Sequence, residues 1–291
     1  MKLLDGIQED GDDTPKEKRI ILIDALNLFF RNFAVIGTLN SEGAHVGGLG
    51  GFFRSLGALI RNLEADQVYV VFDGIGGSNN RKNLIPEYKS GRMNSRITNW
   101  EAFDSVEDES NSQIDQITRI AQYLKTLPVK TVQIDKVEAD DVIAYVGEKL
   151  SHDKNNKIFI VSSDKDYLQL AKENLIIYRP IEKKYYTPST VEEQFGCPAE
   201  NFILYKLLMG DSSDKIEGVK GLGPKKLYKY FPELKNKGLD LEELLNIAEK
   251  KLKEHIIYAR LLSDPYGLKN KYKIMDLSKP MIDENDIKYL D

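Results

Sequence analysis

The chain has 291 residues, of which 41% are hydrophobic and 30% are charged, a balance that excludes a disordered chain and is typical of a soluble globular protein. Its only cysteine, Cys197, excludes an intrachain disulfide. No apolar run approaches the ~18 residues that span a bilayer, and the start lacks a signal-peptide pattern, so we expect a cytoplasmic protein without membrane contact. The net charge of −5 hides two basic segments, 81–96 and 215–229, and therefore does not exclude a nucleic-acid partner.

The first two thirds of the chain alternate between short apolar runs and helical segments. Residues 1–18 come before this pattern and are polar and acidic, which predicts a flexible tail. The predicted strands are 19–24, 67–73, 129–134 and 157–164. The predicted helices of this part are 25–33, 48–64, 112–126 and 138–150, with a long polar excursion at 74–110. Because such alternation produces right-handed crossovers, we predict an α/β fold with a mostly parallel central sheet covered by helices.

The pattern becomes helical after about residue 190. The predicted helices of this second part are 199–209, 224–231, 240–253 and 255–263. We therefore divide the chain into a tail (1–18), an α/β domain (19–190) and a helical subdomain (191–291).

Carboxylates recur where the predicted strands end. Asp24, Asp73 and Asp164 each close a strand, and the carboxyl ends of parallel strands meet at one edge of a sheet. The helix at 138–150 begins at the same edge and carries further acids in its first turn. We expect nine carboxylates at one pocket, namely Asp24, Asp73, Glu138, Asp140, Asp141, Asp164, Asp166, Asp211 and Asp214.

A single aspartate at a strand end is usually a helix N-cap, which is the structural alternative at each position. Nine acids in one pocket, however, repel one another unless their pKa values rise or cations neutralise them. The three histidines are scattered, so the site offers oxygen ligands alone, the set that Mg²⁺ or Mn²⁺ prefers. So many carboxylates predict two or more ions, an arrangement suited to phosphodiester hydrolysis.

A basic segment, NLIPEYKSGR at 83–92, lies in the polar excursion. We predict that Lys89 and Arg92 hold a scissile phosphate and stabilise the charge that develops there. Tyr88 is a candidate to stack on an unpaired base, and Arg81 is a further candidate phosphate contact. The structural alternative is a solvated loop.

The stretch EGVKGLGPKKLYKYF at 217–231 combines glycines with lysines. Its glycines predict a tight turn, after which Pro224 begins a helix, so that backbone N–H groups face a phosphate. Such a hairpin would bind a duplex without reading its sequence, although the glycines could simply belong to a loop. The candidate DNA-binding residues are Gly218, Gly221, Gly223, Lys220, Lys225 and Lys226.

Taken together, these motifs match one family. The shared stretches, in the family's order, are ILIDALNLFFR, VVFD, PEYKSGR, VEADDVI, VSSDKDYLQL, LLMGDSSD and GVKGLGPKK. The chain resembles the 5′ nucleases, which include phage 5′→3′ exonucleases, flap endonucleases and the N-terminal nuclease domain of bacterial DNA polymerase I. No polymerase sequence follows, so the resemblance favours a free-standing, phage-type enzyme in the host cytoplasm.

The resemblance implies a PIN-like central sheet, a helical arch at about 80–118 and a helix–three-turn–helix at about 204–232. By analogy with the family, the acids divide into two metal clusters. Asp24, Asp73, Glu138, Asp140 and Asp141 match one cluster, and Asp164, Asp166, Asp211 and Asp214 match the other. Lys89 and Arg92 match the basic pair of the arch, and K⁺ is often held by the carbonyls of the glycine hairpin.

The implied activity is metal-dependent hydrolysis of DNA that carries a 5′ flap, a nick or an RNA primer, as in replication. The implied partners are such DNA and, in replication, a single-strand-binding protein, a polymerase or a clamp, and we expect a monomer. A phosphatase with an aspartyl nucleophile is one rival, but it usually needs a second carboxylate where Leu26 stands. A non-catalytic protein that recognises DNA junctions is the other rival, and it predicts eroded acids, whereas every expected position is filled.

Overall fold

The computed structural model describes residues 17–90, 96–236 and 238–290. The predicted tail therefore lies, apart from Glu17 and Lys18, outside the described residues. The strands are β1 Lys18–Asp24, β2 Gln67–Phe72, β3 Lys130–Gln133, β4 Asn156–Val161, β5 Leu175–Arg179, β6 Lys184–Tyr186, β7 Gly210–Asp211 and β8 Ile216–Glu217. The helices are α1 Ala25–Val35, α2 Gly47–Leu63, α3 Asn79–Leu84, α4 Val106–Leu124, α5 Ala139–Ser151, α6 Pro188–Phe195, α7 Phe202–Met209, α8 Pro224–Tyr230, α9 Leu241–Lys250, α10 Ile256–Leu261, α11 Pro265–Met275 and α12 Glu284–Leu290.

The central sheet has six strands in the order β3-β2-β1-β4-β5-β6. The first five are parallel, and β6 runs antiparallel at one edge. The predicted α/β class with a mostly parallel sheet is thus confirmed. Strands β5 and β6 are not among the predicted strands.

Strand β1 is buried on both faces, which explains its nearly unbroken apolar sequence. Ile20 and Leu22 pack with the apolar side of α5 on one face of the sheet. Ile21 and Ile23 point to the other face, where they pack with residues of α1, α2 and α4. Because consecutive strand residues alternate between faces, this one strand joins two hydrophobic layers and fixes their position.

The predicted arch agrees with the structure only in part. From Val106 onward this segment is α4, an outer helix whose Ile120 and Leu124 are buried against the sheet, so it belongs to the body of the domain. The segment before α4 is tied to it, because the buried Glu109 carboxylate accepts the backbone N–H groups of Thr98 and Asn99. Residues 91–95 lie outside the described residues, and an arch there stays a prediction.

The helical part has a hydrophobic cluster of its own, built largely from residues between Ile203 and Met275. A short antiparallel hairpin, β7 and β8, separates α7 from α8. The helix–three-turn–helix expected at about 204–232 stays a prediction. Helix α11 returns to the α/β part, where the carbonyl oxygen of Ile274 accepts a hydrogen bond from Arg81. Among the described residues, none of the helices is both long and apolar enough to cross a membrane.

We expect Leu22→Ala to lower the free energy of unfolding by about 2–5 kcal/mol, because it opens a cavity at the centre of the sheet. Val35→Ala, at the 76% exposed end of α1, should change that free energy by less than about 0.5 kcal/mol. Urea unfolding in EDTA measures both. A loss below about 1 kcal/mol for Leu22→Ala would contradict the described core.

Candidate active site

The candidate site lies where the order of the sheet reverses. Strands β1 and β4 are neighbours, and the chain proceeds from β1 to one side of the sheet and from β4 to the other. Such a switch point leaves a crevice at the carboxyl ends of the strands. A cleft of about 670 Å³ opens there, and the acids that line it are Asp24, Asp73, Glu138, Asp140 and Asp164.

Two of these acids also cap helices. Asp24 ends β1 and accepts a hydrogen bond from the Asn27 backbone N–H at the start of α1, at 3.0 Å. Asp73 follows β2 and accepts the N–H of Ala139 at the start of α5, at 2.8 Å. The N-cap explanation is therefore correct for Asp24, whereas Asp73 contacts the start of a helix whose N-cap is Glu138. Both carboxylates still line the cleft.

Glu138 is held by three side chains at the cleft wall. Lys89 Nζ lies 2.9 Å from one carboxylate oxygen, and the Tyr88 hydroxyl donates to the other at 3.1 Å. Arg81 lies 3.0 Å from that second oxygen. Asp140, two residues on, accepts a hydrogen bond from the Tyr167 hydroxyl at 2.7 Å.

Asp141 does not join the cleft, contrary to our expectation. Its carboxylate is buried and forms two hydrogen bonds with the guanidinium of Arg81, at 2.5 and 3.0 Å. The backbone N–H of Met281 also donates to it. Because Arg81 neutralises Asp141 inside the protein, this acid closes an ion pair and does not face the cleft.

Burial and the crowding of charge raise the pKa values of three acids of the cleft. Burial and the nearby carboxylate of Asp140 raise the pKa of Asp24 well above its usual value. The same two causes raise the pKa of Asp73. Burial and Asp140 also raise the pKa of Asp164 to about 6, although Lys206 and Lys89 oppose this shift. These acids hold protons more tightly than usual because burial and neighbouring carboxylates disfavour the charged form, and the nearby lysines offset this only in part.

A second acidic group lies beside the first and consists of Asp166, Asp211 and Asp214, whose oxygens lie within 4.8 Å of one another. Lys206 of α7 contacts two of them, with Nζ next to Asp166 and 2.5 Å from Asp211. Burial alone would raise the pKa of Asp211, but hydrogen bonds from Lys206 and Ser213 lower it to about 2. Asp164 connects the two groups, because its pKa responds to Asp140 on one side and to Asp211 on the other.

Of the four candidate catalytic residues, the structure describes Lys89, Tyr88 and Arg81, and only Lys89 lines the cleft. The backbone of Lys89 lies in the left-handed region at φ 52°, a conformation that bulky residues rarely adopt. Burial by itself would lower the pKa of Lys89, but Asp140 and Glu138 raise it, so the ammonium stays charged. Tyr88 and Arg81 are 4% and 3% exposed, which leaves neither free for the base stacking or phosphate contact that we expected. Arg92 lies outside the described residues.

The glycine hairpin has the predicted shape. A Cβ atom on Gly218 would lie 2.4 Å from the backbone nitrogen of Gly210, so this close approach of two backbones requires glycine. Gly221 has φ +85°, where an L side chain is strained. Gly223 has open space around it and precedes α8, so nothing in its packing demands glycine.

The lysines predicted to bind DNA, Lys220, Lys225 and Lys226, are all exposed. Two carbonyls of the hairpin, those of Glu217 and Lys220, accept hydrogen bonds from Lys271 Nζ and Arg260 Nη1. These two oxygens are satisfied by the chain's own cations, so a K⁺ ion would depend on other carbonyls of the turn.

Sequence reasoning missed two basic residues at the site. Arg31 of α1 lines the cleft, and its buried Nη1 has no hydrogen-bond partner among the described residues. Lys206 pairs with the second acidic group. Each is the only charged residue of its helix, ALNLFFRNFAV or FILYKLLM, and that isolation was the available signal. A cationic group removed from water on such a helix needs a partner of opposite charge or a ligand.

Comparison with known proteins agrees with this geometry. The family profile "5'-3' exonuclease, N-terminal resolvase-like domain" matches residues 19–196. A 5'-3' exonuclease of Aquifex aeolicus is 32% identical over 209 residues, which cover 72% of this chain and 67% of the relative. DNA polymerase I of Bacillus subtilis is 29% identical over 83% of this chain, and this match spans 26% of the polymerase.

Among solved structures, the flap endonuclease of bacteriophage T5, a variant in complex with DNA and metal ions, superimposes with a TM-score of 0.71. The identity is 20%, and 90% of each chain is covered, so the predicted 5′ nuclease fold is confirmed. The family profile spans more than half of the sequence, and the Aquifex relative exceeds 30% identity. This chain therefore belongs to the 5′-3′ exonuclease family of nucleases, as its motifs predicted.

Proposed function

We propose that this chain is a structure-specific 5′ nuclease that removes 5′ flaps and 5′-terminal nucleotides by divalent-metal-dependent hydrolysis. The observation that carries the proposal is the convergence of Asp24, Asp73, Glu138, Asp140 and Asp164 on one cleft. A protein that only recognises DNA junctions has no use for five mutually repelling acids. The relationship to exonucleases supports the same reaction class.

The donor set fits hard divalent ions. Among the described residues that line the cleft, the acids offer carboxylate oxygens and none is a histidine or cysteine. The raised pKa values of Asp24, Asp73 and Asp164 reflect burial and crowded negative charge, which a bound cation would relieve. Asp24, Asp73, Glu138 and Asp140 would hold one ion, and Asp166, Asp211 and Asp214 a second, with Asp164 between them. Such ions supply an activated water and stabilise the leaving oxygen of a phosphodiester. We expect Mg²⁺ or Mn²⁺, and the use of two ions rests on this assignment.

The basic residues of the cleft position the substrate. Lys89, charged and fixed by Glu138, is placed to stabilise the negative charge that develops on the scissile phosphate. Arg31 offers an unpartnered N–H on the same cleft and is a further candidate phosphate contact. We retain Arg92 as the second member of the basic pair. Arg81 and Tyr88 instead hold Asp141 and Glu138 in position.

The glycine-containing turn after β8 and the start of α8 provide the duplex contact. Their exposed lysines, Lys220, Lys225 and Lys226, suit phosphate contacts that ignore base sequence. The bacteriophage T5 neighbour is a flap endonuclease in complex with DNA, which supports a DNA substrate with a 5′ flap for this chain as well. RNA primers, a monomeric state, the replication partners, a cytoplasmic location and a phage origin remain predictions.

We expect Asp73→Asn to bring cleavage of a 5′-flap substrate in Mg²⁺ below detection while flap binding stays within a few-fold. The amide keeps an acceptor for the Ala139 N–H but loses the charge that an ion needs. Asp115→Asn, an exposed site on α4, is the matched control and should cleave normally. EDTA should also stop the unaltered protein, and full activity in EDTA would falsify the metal mechanism.

The raised pKa of Asp164 predicts a pH effect on stability. Protonation of this group favours the folded state, so its contribution is complete below about pH 4 and is lost as the pH rises through about 6. In EDTA, the free energy of unfolding relative to Asp164→Asn should therefore fall by up to about 3 kcal/mol between pH 4 and 7. Denaturant titrations at several pH values measure this, with Asp115→Asn as control. If the difference in free energy of unfolding between the two proteins does not change with pH, burial and crowding of charge at Asp164 are contradicted.

Lys89→Ala should slow the single-turnover cleavage rate by about 10²–10³-fold, because a cation that stabilises transition-state charge is removed. Flap affinity should change far less. Lys82→Ala, an exposed neighbour on α3, controls for the loss of a positive charge in this region. Equal single-turnover rates for Lys89→Ala and the unaltered protein would remove Lys89 from the mechanism.

A further inference from the structure

Lys206 is a buried cation inside the second acidic group. It belongs to α7, whose neighbouring residues Leu204, Leu207 and Leu208 are fully packed in apolar clusters. Lys206 is 7% exposed, so its stem is enclosed and its ammonium cannot reach bulk water freely. The ammonium ends between Asp166 and Asp211. These contacts make Lys206 part of the charge balance of the site.

The ammonium contacts the same carboxylates that an ion would use. Asp166 and Asp211, together with Asp214, present oxygens within 4.8 Å of one another, a spacing that can surround a small divalent cation. Lys206 Nζ contacts the first and lies 2.5 Å from the second. Two cations that share two carboxylates repel each other strongly in a poorly solvated site. Occupancy by the lysine and by a divalent ion therefore oppose each other.

We propose that Lys206 is an internal cation that competes with a divalent ion for the second acidic group and weakens metal binding there. This inference rests on the proposed metal-dependent function and adds a residue that sets the relative affinity of the two groups. In the cleft, Lys89 and Arg81 contact Glu138 and leave the other cleft carboxylates without a lysine or arginine contact among the described pairs. The two groups should thus differ in affinity, with the second group the weaker.

The test is a titration of the protein with Mn²⁺ in the absence of DNA. Binding is measured by calorimetry and by the electron paramagnetic resonance signal of free Mn²⁺, so that no activity assay is needed. The unaltered protein should show a stronger and a weaker class of site. Lys206→Met, which keeps the length and apolar stem of the side chain, should increase the affinity of the weaker class by at least about tenfold. The double variant Lys206→Met/Asp211→Asn should lose this gain, which assigns it to the second group.

Lys251→Met is the matched control, because Lys251 also forms an ion pair, with Glu233 at 2.6 Å. Neither residue belongs to the two acidic groups. This variant should leave Mn²⁺ affinity unchanged. Lys206→Met leaves two buried carboxylates unpaired, so thermal unfolding should show a loss of stability in EDTA that Mn²⁺ restores. If that variant does not fold in EDTA, Lys206→Gln, which is neutral but still donates hydrogen bonds, should give the same increase in affinity.

The outcomes separate this inference from the function on which it rests. If the unaltered protein binds Mn²⁺ and both Lys206 variants bind it with the same affinity, Lys206 is only a structural ion pair and the competition is disproved. If Mn²⁺ binds to neither the unaltered protein nor the variants, the proposed metal-dependent function fails, and the inference fails with it.

Discussion

Mutual repulsion of carboxylates at one edge of a parallel sheet is the constraint that the rest of the molecule accommodates. The fold brings the acids together because β1, β2 and β4 all end at this edge. Several of the acids then have a partner within the protein. Backbone N–H groups at helix N-termini donate to Asp24 and Asp73, a guanidinium neutralises Asp141, and a tyrosine hydroxyl donates to Asp140. The negative charge that faces the cleft is compensated only in part, and together with burial it raises the pKa values of Asp24 and Asp164.

The fold could be predicted to a large extent because its strongest signals are local. The run RIILID identifies β1, since a strand buried on both faces has no polar alternation to obscure it. The sequence could not assign β5 and β6, because the short run LIIYR is equally compatible with a buried helix segment. The predicted start of α4 was too late because its N-terminal turns carry acids such as Glu109, a residue type that is usually exposed. Glu109 is nevertheless buried, and its carboxylate accepts hydrogen bonds from the backbone N–H groups of Thr98 and Asn99.

The site could be predicted as a set of residues but not as a geometry. Consecutive residues of a helix point about 100° apart, so Asp140 and Asp141 cannot both face one cleft, and only the packing decides which does. Arg81 lies 60 residues from its partner Asp141, a separation at which sequence offers no pairing signal. For the same reason Lys206 escaped notice, although the acids that it contacts were identified. Ion pairs between distant segments are properties of the tertiary structure.

The same distant contacts connect the cleft with the helical part. Tyr88 is buried within the hydrophobic cluster of the helical part, while its hydroxyl donates to Glu138 at the cleft. Lys89 follows directly, and Ser90 accepts a hydrogen bond from Lys215 at the base of the glycine hairpin. Three consecutive residues thus contact the hydrophobic cluster, the cleft and the hairpin. Lys89 adopts its left-handed backbone conformation between two neighbours that contact the helical part, so its backbone is anchored there on both sides. The ammonium of Lys89 reaches the cleft from this anchored position, where it contacts Glu138.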